Sequence, residues 1–95
     1  MRNSTDYGSE DPLDRPYIEL ADKIHMLYQA GLSFEANGAL ELADQNYRQA
    51  LRLLKPEDNE KLMALHYRLC RVAEALGNNE EAEEHYNEVA ATDYP

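Results

Sequence analysis

Apolar residues recur at three- and four-residue steps along most of the chain, a spacing that is typical of amphipathic helices rather than strands. This spacing predicts four helices, at about residues 16–36, 39–54, 57–76 and 80–91. Gly38 and Gly77 each follow a predicted helix, where glycine readily takes the left-handed conformation that closes the last turn. The sequence therefore predicts an all-α protein.

The second half of the chain repeats the first half at an offset of 39 positions. Four pairs of residues share this offset: Gly38 and Gly77, Ala43 and Ala82, Tyr47 and Tyr86, and Pro56 and Pro95. We therefore expect one domain over residues 16–95, with repeat one at about 16–56 and repeat two at about 57–95. Residues 1–15 are polar and acidic with few apolar groups, so they are predicted to form a disordered tail.

The first repeat carries small residues and rings at a recognisable spacing: Leu27, Ala30-Gly31, Phe34, Gly38, Ala43, Tyr47 and Ala50. This pattern resembles the tetratricopeptide repeat, a helix–turn–helix unit of about 34 residues. The second repeat follows the pattern less closely, since His66 and Ala73 stand where larger apolar or aromatic residues are usual. The resemblance implies four helices in two antiparallel hairpins that form a right-handed stack.

The resemblance also implies where a partner would bind. In tetratricopeptide proteins the first helix of each hairpin lines a concave groove that holds a peptide or a partner helix. The positions carried over onto this chain are His25, Tyr28, Leu32, Glu35, Tyr67, Arg68, Arg71 and Glu74. Tyrosine and arginine are frequent anchors of protein interfaces, although a solvated helix face is the plain alternative. We therefore expect a protein–protein interaction scaffold or adaptor.

A second interpretation uses the last predicted helix. Two repeats bury little core, and repeat proteins usually end in a capping element with a polar outer face. Tyr86, Val89 and Ala90 would then form an end surface that a second copy or another protein covers. The alternative function is an assembly or secretion-type chaperone or a structural subunit that self-associates or pairs through this helix. Either interpretation predicts a homodimer or a hetero-complex.

Charge and composition disfavour some classes of partner and indicate a compartment. Nine Lys and Arg face 19 Asp and Glu, a net charge of −10 that disfavours binding to nucleic acid or to an anionic membrane surface. No apolar run is long enough to cross a membrane. The acidic start of the chain does not resemble a secretion signal, and the one cysteine cannot form an internal disulfide. These features predict a cytoplasmic protein.

Catalytic and metal-binding patterns are weak. The sequence contains no glycine-rich phosphate loop and no HExxH, GxSxG or CxxC motif, so we expect neither an enzyme nor a cofactor. His66, Cys70 and Glu74 share one helix face at one-turn spacing, but a zinc site needs more thiolate or imidazole ligands than these. We therefore expect no metal site, and we interpret His25 and His85 as surface or rim residues.

Overall fold

The computed structural model describes the backbone of residues 16–93 and the side chains of residues 20–91. Its four helices are α1 (Pro16–Ala36), α2 (Leu40–Leu53), α3 (Asn59–Leu76) and α4 (Asn79–Asp93). Helix α1 packs on α2, α3 packs on α4, and α2 packs against α3, so the two hairpins stack in chain order. The predicted all-α fold of two helical hairpins is confirmed; the handedness of the stack stays a prediction. The predicted tail at 1–15 and Pro95 lie outside the described residues.

The helices end where local chemistry closes them. Gly38 and Gly77 have φ angles of 80° and 84°, in the left-handed region that a glycine enters without steric cost. Past each glycine, a backbone N–H returns to the last turn: Ala39 bonds the carbonyl of Phe34 at 2.9 Å, and Asn78 bonds that of Ala73 at 2.8 Å. The second bond lies 39 positions after the first at both of its ends, so the turn geometry repeats with the sequence.

The third helix begins at Asn59, two residues later than the sequence predicts. The predicted start falls at the turn formed by Pro56 and Glu57. The Asp58 carboxylate closes this turn, because it accepts a hydrogen bond from the backbone N–H of Lys55 at 3.1 Å. A short acidic side chain competes with the helix for backbone donors in this way.

The main core lies where the two hairpins meet. Helix α2 contributes Ala43, Tyr47 and Ala50, and α3 contributes Leu65, Leu69 and Val72. Partly buried residues of α1 and of the helix ends pack around this centre: Ile24, Leu27, Tyr28, Leu32, Phe34, Leu40, Leu51, Leu54 and Leu76. Because α2 and α3 both lie in this core, it fixes the orientation of one hairpin on the other.

Within the first hairpin, α1 and α2 approach closely at Gly31. A Cβ atom at this position would lie 2.4 to 2.9 Å from three ring atoms of Tyr47, closer than atoms can pack. Cys70 holds the equivalent position in the second hairpin, and Tyr86, the equivalent of the fully buried Tyr47, is 63% exposed. The sequence repeat therefore does not extend to the packing of its tyrosines.

The second hairpin has a thinner core built from small residues. Cys70, Ala73 and Ala82 form a cluster between α3 and α4. His85 lies beside this cluster and is 8% exposed, so the interpretation of His85 as a surface or rim residue was wrong. Its burial follows from the helical period, since it lies three residues after Ala82 and shares the packed face of α4.

Candidate functional site

A groove of about 450 Å³ opens between α1 and α3. Its lining comprises Ala21, Ile24, His25, Tyr28, Gln29, Glu60, Lys61, Ala64 and Leu65. The inner wall is apolar, with the buried Leu65 and the half-buried Ile24, while exposed polar side chains such as His25 and Lys61 form the rim. A concave site with an apolar lining and a few polar groups is the usual form of a binding site.

Beyond this groove, α1, α2 and α3 are joined through Glu35. The Tyr47 hydroxyl donates a hydrogen bond of 2.7 Å to Glu35 Oε1. Arg68 Nη1 lies 3.7 Å from Glu35 Oε2, so the carboxylate connects α2 to α3. The rings of Tyr28 and Tyr47 lie 5.9 Å apart at an angle of 49°. Four side chains from three helices thus hold one another in position.

The protonation of this network is set by its burial and its charges. Burial raises the pKa of Tyr47 well above its ordinary value, and the hydrogen bond and charge of Glu35 raise it further, so the phenol remains a donor. Burial by itself lowers the pKa of Arg68. A hydrogen bond with Tyr28 and the charge of Glu35 act in the opposite direction, and the net effect is a raised pKa.

Further along α3, Tyr67 and Arg71 form an exposed pair one helical turn apart. Arg71 Nη1 donates to the Tyr67 hydroxyl at 3.2 Å, and the guanidinium lies 5.9 Å from the centre of the ring. The hydrogen bond to Tyr67 raises the pKa of Arg71, so the cation is maintained. Both side chains are exposed, and Tyr67 is 47% exposed. A partner can therefore contact an aromatic face and a guanidinium together.

The structure separates the eight predicted groove residues into groups. His25 and Tyr28 line the groove, and Leu32 is half-buried against the main core. Glu35 is joined to Arg68, as Tyr67 is to Arg71. Glu74 lines a separate shallow depression between α3 and α4, together with Cys70, Asn79, Ala82, Glu83 and Tyr86.

Sequence reasoning missed part of the groove lining and the role of Tyr47. Of the nine lining residues, only His25 and Tyr28 are among the eight predicted groove residues, and Ala21, Glu60 and Lys61 are among those that the prediction lacked. Ala21 precedes His25 by one turn of α1, and Glu60 and Lys61 lie in the first turn of α3, so helical spacing was the available signal. Tyr47 was assigned to the core, which is correct, but its hydroxyl also supports the site.

The predicted end surface lies on α4. Tyr86 is 63% exposed, Ala90 is exposed and Val89 is half-buried. Tyr86 also borders the depression between α3 and α4. This arrangement gives the second hairpin an aromatic side chain that is not used in its core.

His66 and Cys70 have separate surroundings. His66 Nδ1 lies 3.0 Å from His85 Nδ1 on α4. Burial raises the pKa of the Cys70 thiol, and the charge of Glu74 raises it further, which disfavours the nucleophilic thiolate. Within the part of the chain that the structure describes, no three His, Cys, Asp or Glu side chains are grouped so that they could hold a metal ion.

The fold defines a class of protein, a stack of helical hairpins with a groove along the first helix of each pair. The chain is similar to the Photosystem I assembly protein Ycf3 of Synechococcus elongatus and to that of a second Synechococcus strain. Each is 35% identical over 83 residues, which cover 85% of this chain and 43% of the relative. The chain thus spans less than half the length of these relatives.

No family model matches the sequence, and no solved structure matches it. Among the helices in the described part of the chain, none is both long and apolar enough to span a membrane.

Proposed function

We propose that this chain is a non-catalytic, two-repeat tetratricopeptide module that holds a segment of another protein in the groove between α1 and α3. The observation that carries the proposal is the combination of an apolar groove of about 450 Å³ with the exposed Tyr67–Arg71 pair on the same helix, α3. The groove would take apolar side chains of the segment, and the pair would contact its polar groups. The proposal includes no cofactor, and it assumes a cytoplasmic location.

Preorganisation supports this proposal. A binding surface whose side chains are already fixed loses less conformational entropy when the partner arrives. Glu35 accepts from Tyr47 and faces Arg68, and the ring of Tyr28 packs near that of Tyr47. These contacts fix Tyr28 and Arg68 before a partner binds.

The similarity to the two cyanobacterial relatives supports a role in assembly. Their name describes a protein that assists the assembly of photosystem I. We propose that this chain also acts in assembly, and that it holds a subunit of a larger complex before that subunit is incorporated. A groove of modest size suits this role, because an assembly factor must release its client.

Selection of peptides from a random display library tests the groove directly. We expect peptides selected on the wild-type protein to bind at least tenfold more weakly to Arg71→Glu and Tyr67→Ala, with helicity unchanged by circular dichroism. Arg52→Glu is the matched control, since Arg52 is an exposed arginine on α2, a helix that contributes no residue to the groove lining. Equal losses for Arg71→Glu and Arg52→Glu, or unchanged binding to all three variants, would contradict the proposal.

A second candidate function is self-association or pairing through α4. The exposure of Tyr86 favours it, since a large aromatic side chain at 63% exposure is a frequent contact residue. Tyr86→Glu should then lower the mass measured by analytical ultracentrifugation. Met26→Glu is the control, because Met26 on α1 is 67% exposed and lies far from α4 in sequence. A monomeric wild-type protein that binds groove peptides would rule out self-association.

A further inference from the structure

Two histidines join α3 to α4. His66 Nδ1 and His85 Nδ1 lie 3.0 Å apart, and the ring centres are 5.2 Å apart at an angle of 37°. His85 is 8% exposed and His66 is half-buried. Because a hydrogen bond between two imidazole nitrogens has one proton, one ring must present a bare Nδ1 to the other.

The surroundings favour one arrangement of the protons. His85 Nε2 lies 3.8 Å from Glu81 Oε2, and a proton on Nε2 is stabilised by that carboxylate. His85 Nδ1 is then bare and accepts from the Nδ1–H of His66. A first added proton enters His66 at its Nε2 and leaves this bond intact. A second added proton must occupy His85 Nδ1, which removes the acceptor.

Charged groups from two helices face the pair. Arg48 and Asp44 approach from α2, and Glu81, Glu84 and Glu88 lie on α4. Among the contacts described for His85, His66 is the titratable group on α3. Arg48 contacts Glu81 through its Nη2 and Asp44 through its Nε, the latter at 2.8 Å. Arg48 thus neutralises part of the negative charge that would otherwise stabilise a protonated His85.

The surroundings lower the pKa of both imidazoles. Burial lowers the pKa of His66, and the charge of His85 lowers it further, while Glu88 acts in the opposite direction. Burial also lowers the pKa of His85, and Arg48 adds to the effect, whereas Asp44, Glu84 and Glu88 oppose it. Both rings therefore favour their neutral form in the packed structure.

We propose that the His66–His85 contact is a pH-sensitive latch that docks α4 on α3 while at least one of the two imidazoles is neutral and releases α4 when both are protonated. Helix α4 packs mainly on α3 and buries only Ala82 beside His85 among its described side chains, so the histidine pair lies in a thin interface. The cluster of Cys70, Ala73 and Ala82 and the Arg48–Glu81 ion pair also hold the helix, and neither contains a group that loses its charge or its contact at about pH 6. Two like charges about 3 Å apart in a half-buried site oppose docking directly.

The lowered pKa values of His66 and His85 determine how the docking of α4 depends on pH. A histidine whose pKa is lower when docked than when released stabilises the docked form fully above its ordinary value of about 6.5. That stabilisation is lost as the pH falls from about 6.5 through the lowered values. Each imidazole changes the docking equilibrium by at most tenfold per pH unit, and the two together by at most about a hundredfold.

Release of α4 would disrupt the depression between α3 and α4 and leave the groove between α1 and α3 in place. The depression between α3 and α4 borders Tyr86 and requires both helices. The groove between α1 and α3 has no lining residue on α4. The latch would therefore control the α4 surface, independently of whether the groove binds a partner.

Magnetic resonance of the three imidazoles tests the latch in the full chain. His25 is exposed on α1 and lies outside the pair. We expect His66 and His85 to titrate below the ordinary imidazole value of about 6.5, and the protection factors of α4 amides to fall at least tenfold between about pH 7.5 and about pH 5, while those of α2 stay nearly constant.

Variants separate the latch from general acid unfolding. His66→Gln/His85→Gln should remove the pH-dependent step in α4, and His25→Gln should leave it unchanged. Protection of α4 in the wild-type protein that is constant across this range would overturn the proposal. A pKa of about 6.5 or higher for both His66 and His85 would overturn it as well, and this result needs no variant to fold.

Discussion

At the scale of single residues, Gly31 and Tyr47 determine how closely the first hairpin packs. The ring of Tyr47 occupies the space that a side chain at Gly31 would need, and its hydroxyl reaches Glu35 on the same helix as Gly31. One tyrosine therefore fills the core and supports the site. In the second hairpin Cys70 occupies the equivalent position, and Tyr86 lies outside.

Gly31→Ala should lower the free energy of unfolding by about 1–3 kcal/mol, because the added methyl group overlaps the Tyr47 ring. Urea denaturation measures this loss. The control is the same substitution in a Tyr47→Leu background, where the ring atoms are absent and the added loss should be much smaller. Equal losses in both backgrounds would show that the ring is not the obstacle.

Tyr47→Phe should lower the free energy of unfolding by about 0.5–1.5 kcal/mol, since it removes the 2.7 Å hydrogen bond to Glu35 and keeps the ring. Tyr86→Phe is the matched control at the equivalent position of the second repeat. Because Tyr86 is exposed, its change should stay within about 0.5 kcal/mol. The hydroxyl of Tyr47 would have no structural role if thermal denaturation showed equal effects for both variants.

At the scale of the helices, α2 and α4 are equivalent in sequence but not in packing. Helix α2 lies between α1 and α3 and buries Ala43, Tyr47 and Ala50. Helix α4 packs mainly on α3, through small residues and the histidine pair. The Arg48–Glu81 ion pair is a contact between α2 and α4, and it lies beside His85.

Arg48→Gln should raise the pKa of His85 towards its ordinary value, because it removes a nearby cation and leaves Glu81 available to stabilise the imidazolium. Titration of the His85 ring resonances measures this shift. Arg52→Gln removes an exposed arginine one turn further along α2 and should leave the His85 titration unchanged. A lowered pKa in Arg48→Gln would contradict the assigned electrostatics.

The helices and their turns could be predicted from sequence, and parts of the site could not. Apolar periodicity and the turn glycines fix the helix ends to within two residues, because both act locally. The pairing of His66 with His85 depends on how α3 and α4 face each other, and a histidine has no fixed preference for surface or interior. Tyr86 was predicted on an end surface and is exposed, although the repeat equates it with the buried Tyr47.

At the scale of the whole molecule, the two hairpins present two distinct surfaces. The groove between α1 and α3 has an apolar lining, and the Tyr67–Arg71 pair lies further along α3. The α4 surface carries Tyr86 beside a shallow depression. Only seven Lys and Arg lie within the described side chains, and Lys61, Arg68 and Arg71 are on α3. This concentration of cations in an acidic protein distinguishes the groove side from the rest of the surface.

The most direct test is a chemical-shift map of the isotope-labelled protein bound to a display-selected peptide. We predict that the perturbed amides cluster on α1 and α3, around Ile24, Tyr28, Ala64 and Arg68, with α4 nearly unaffected. Perturbations confined to α4 around Tyr86 and Val89, with α1 unchanged, would contradict binding in the groove and favour the second surface.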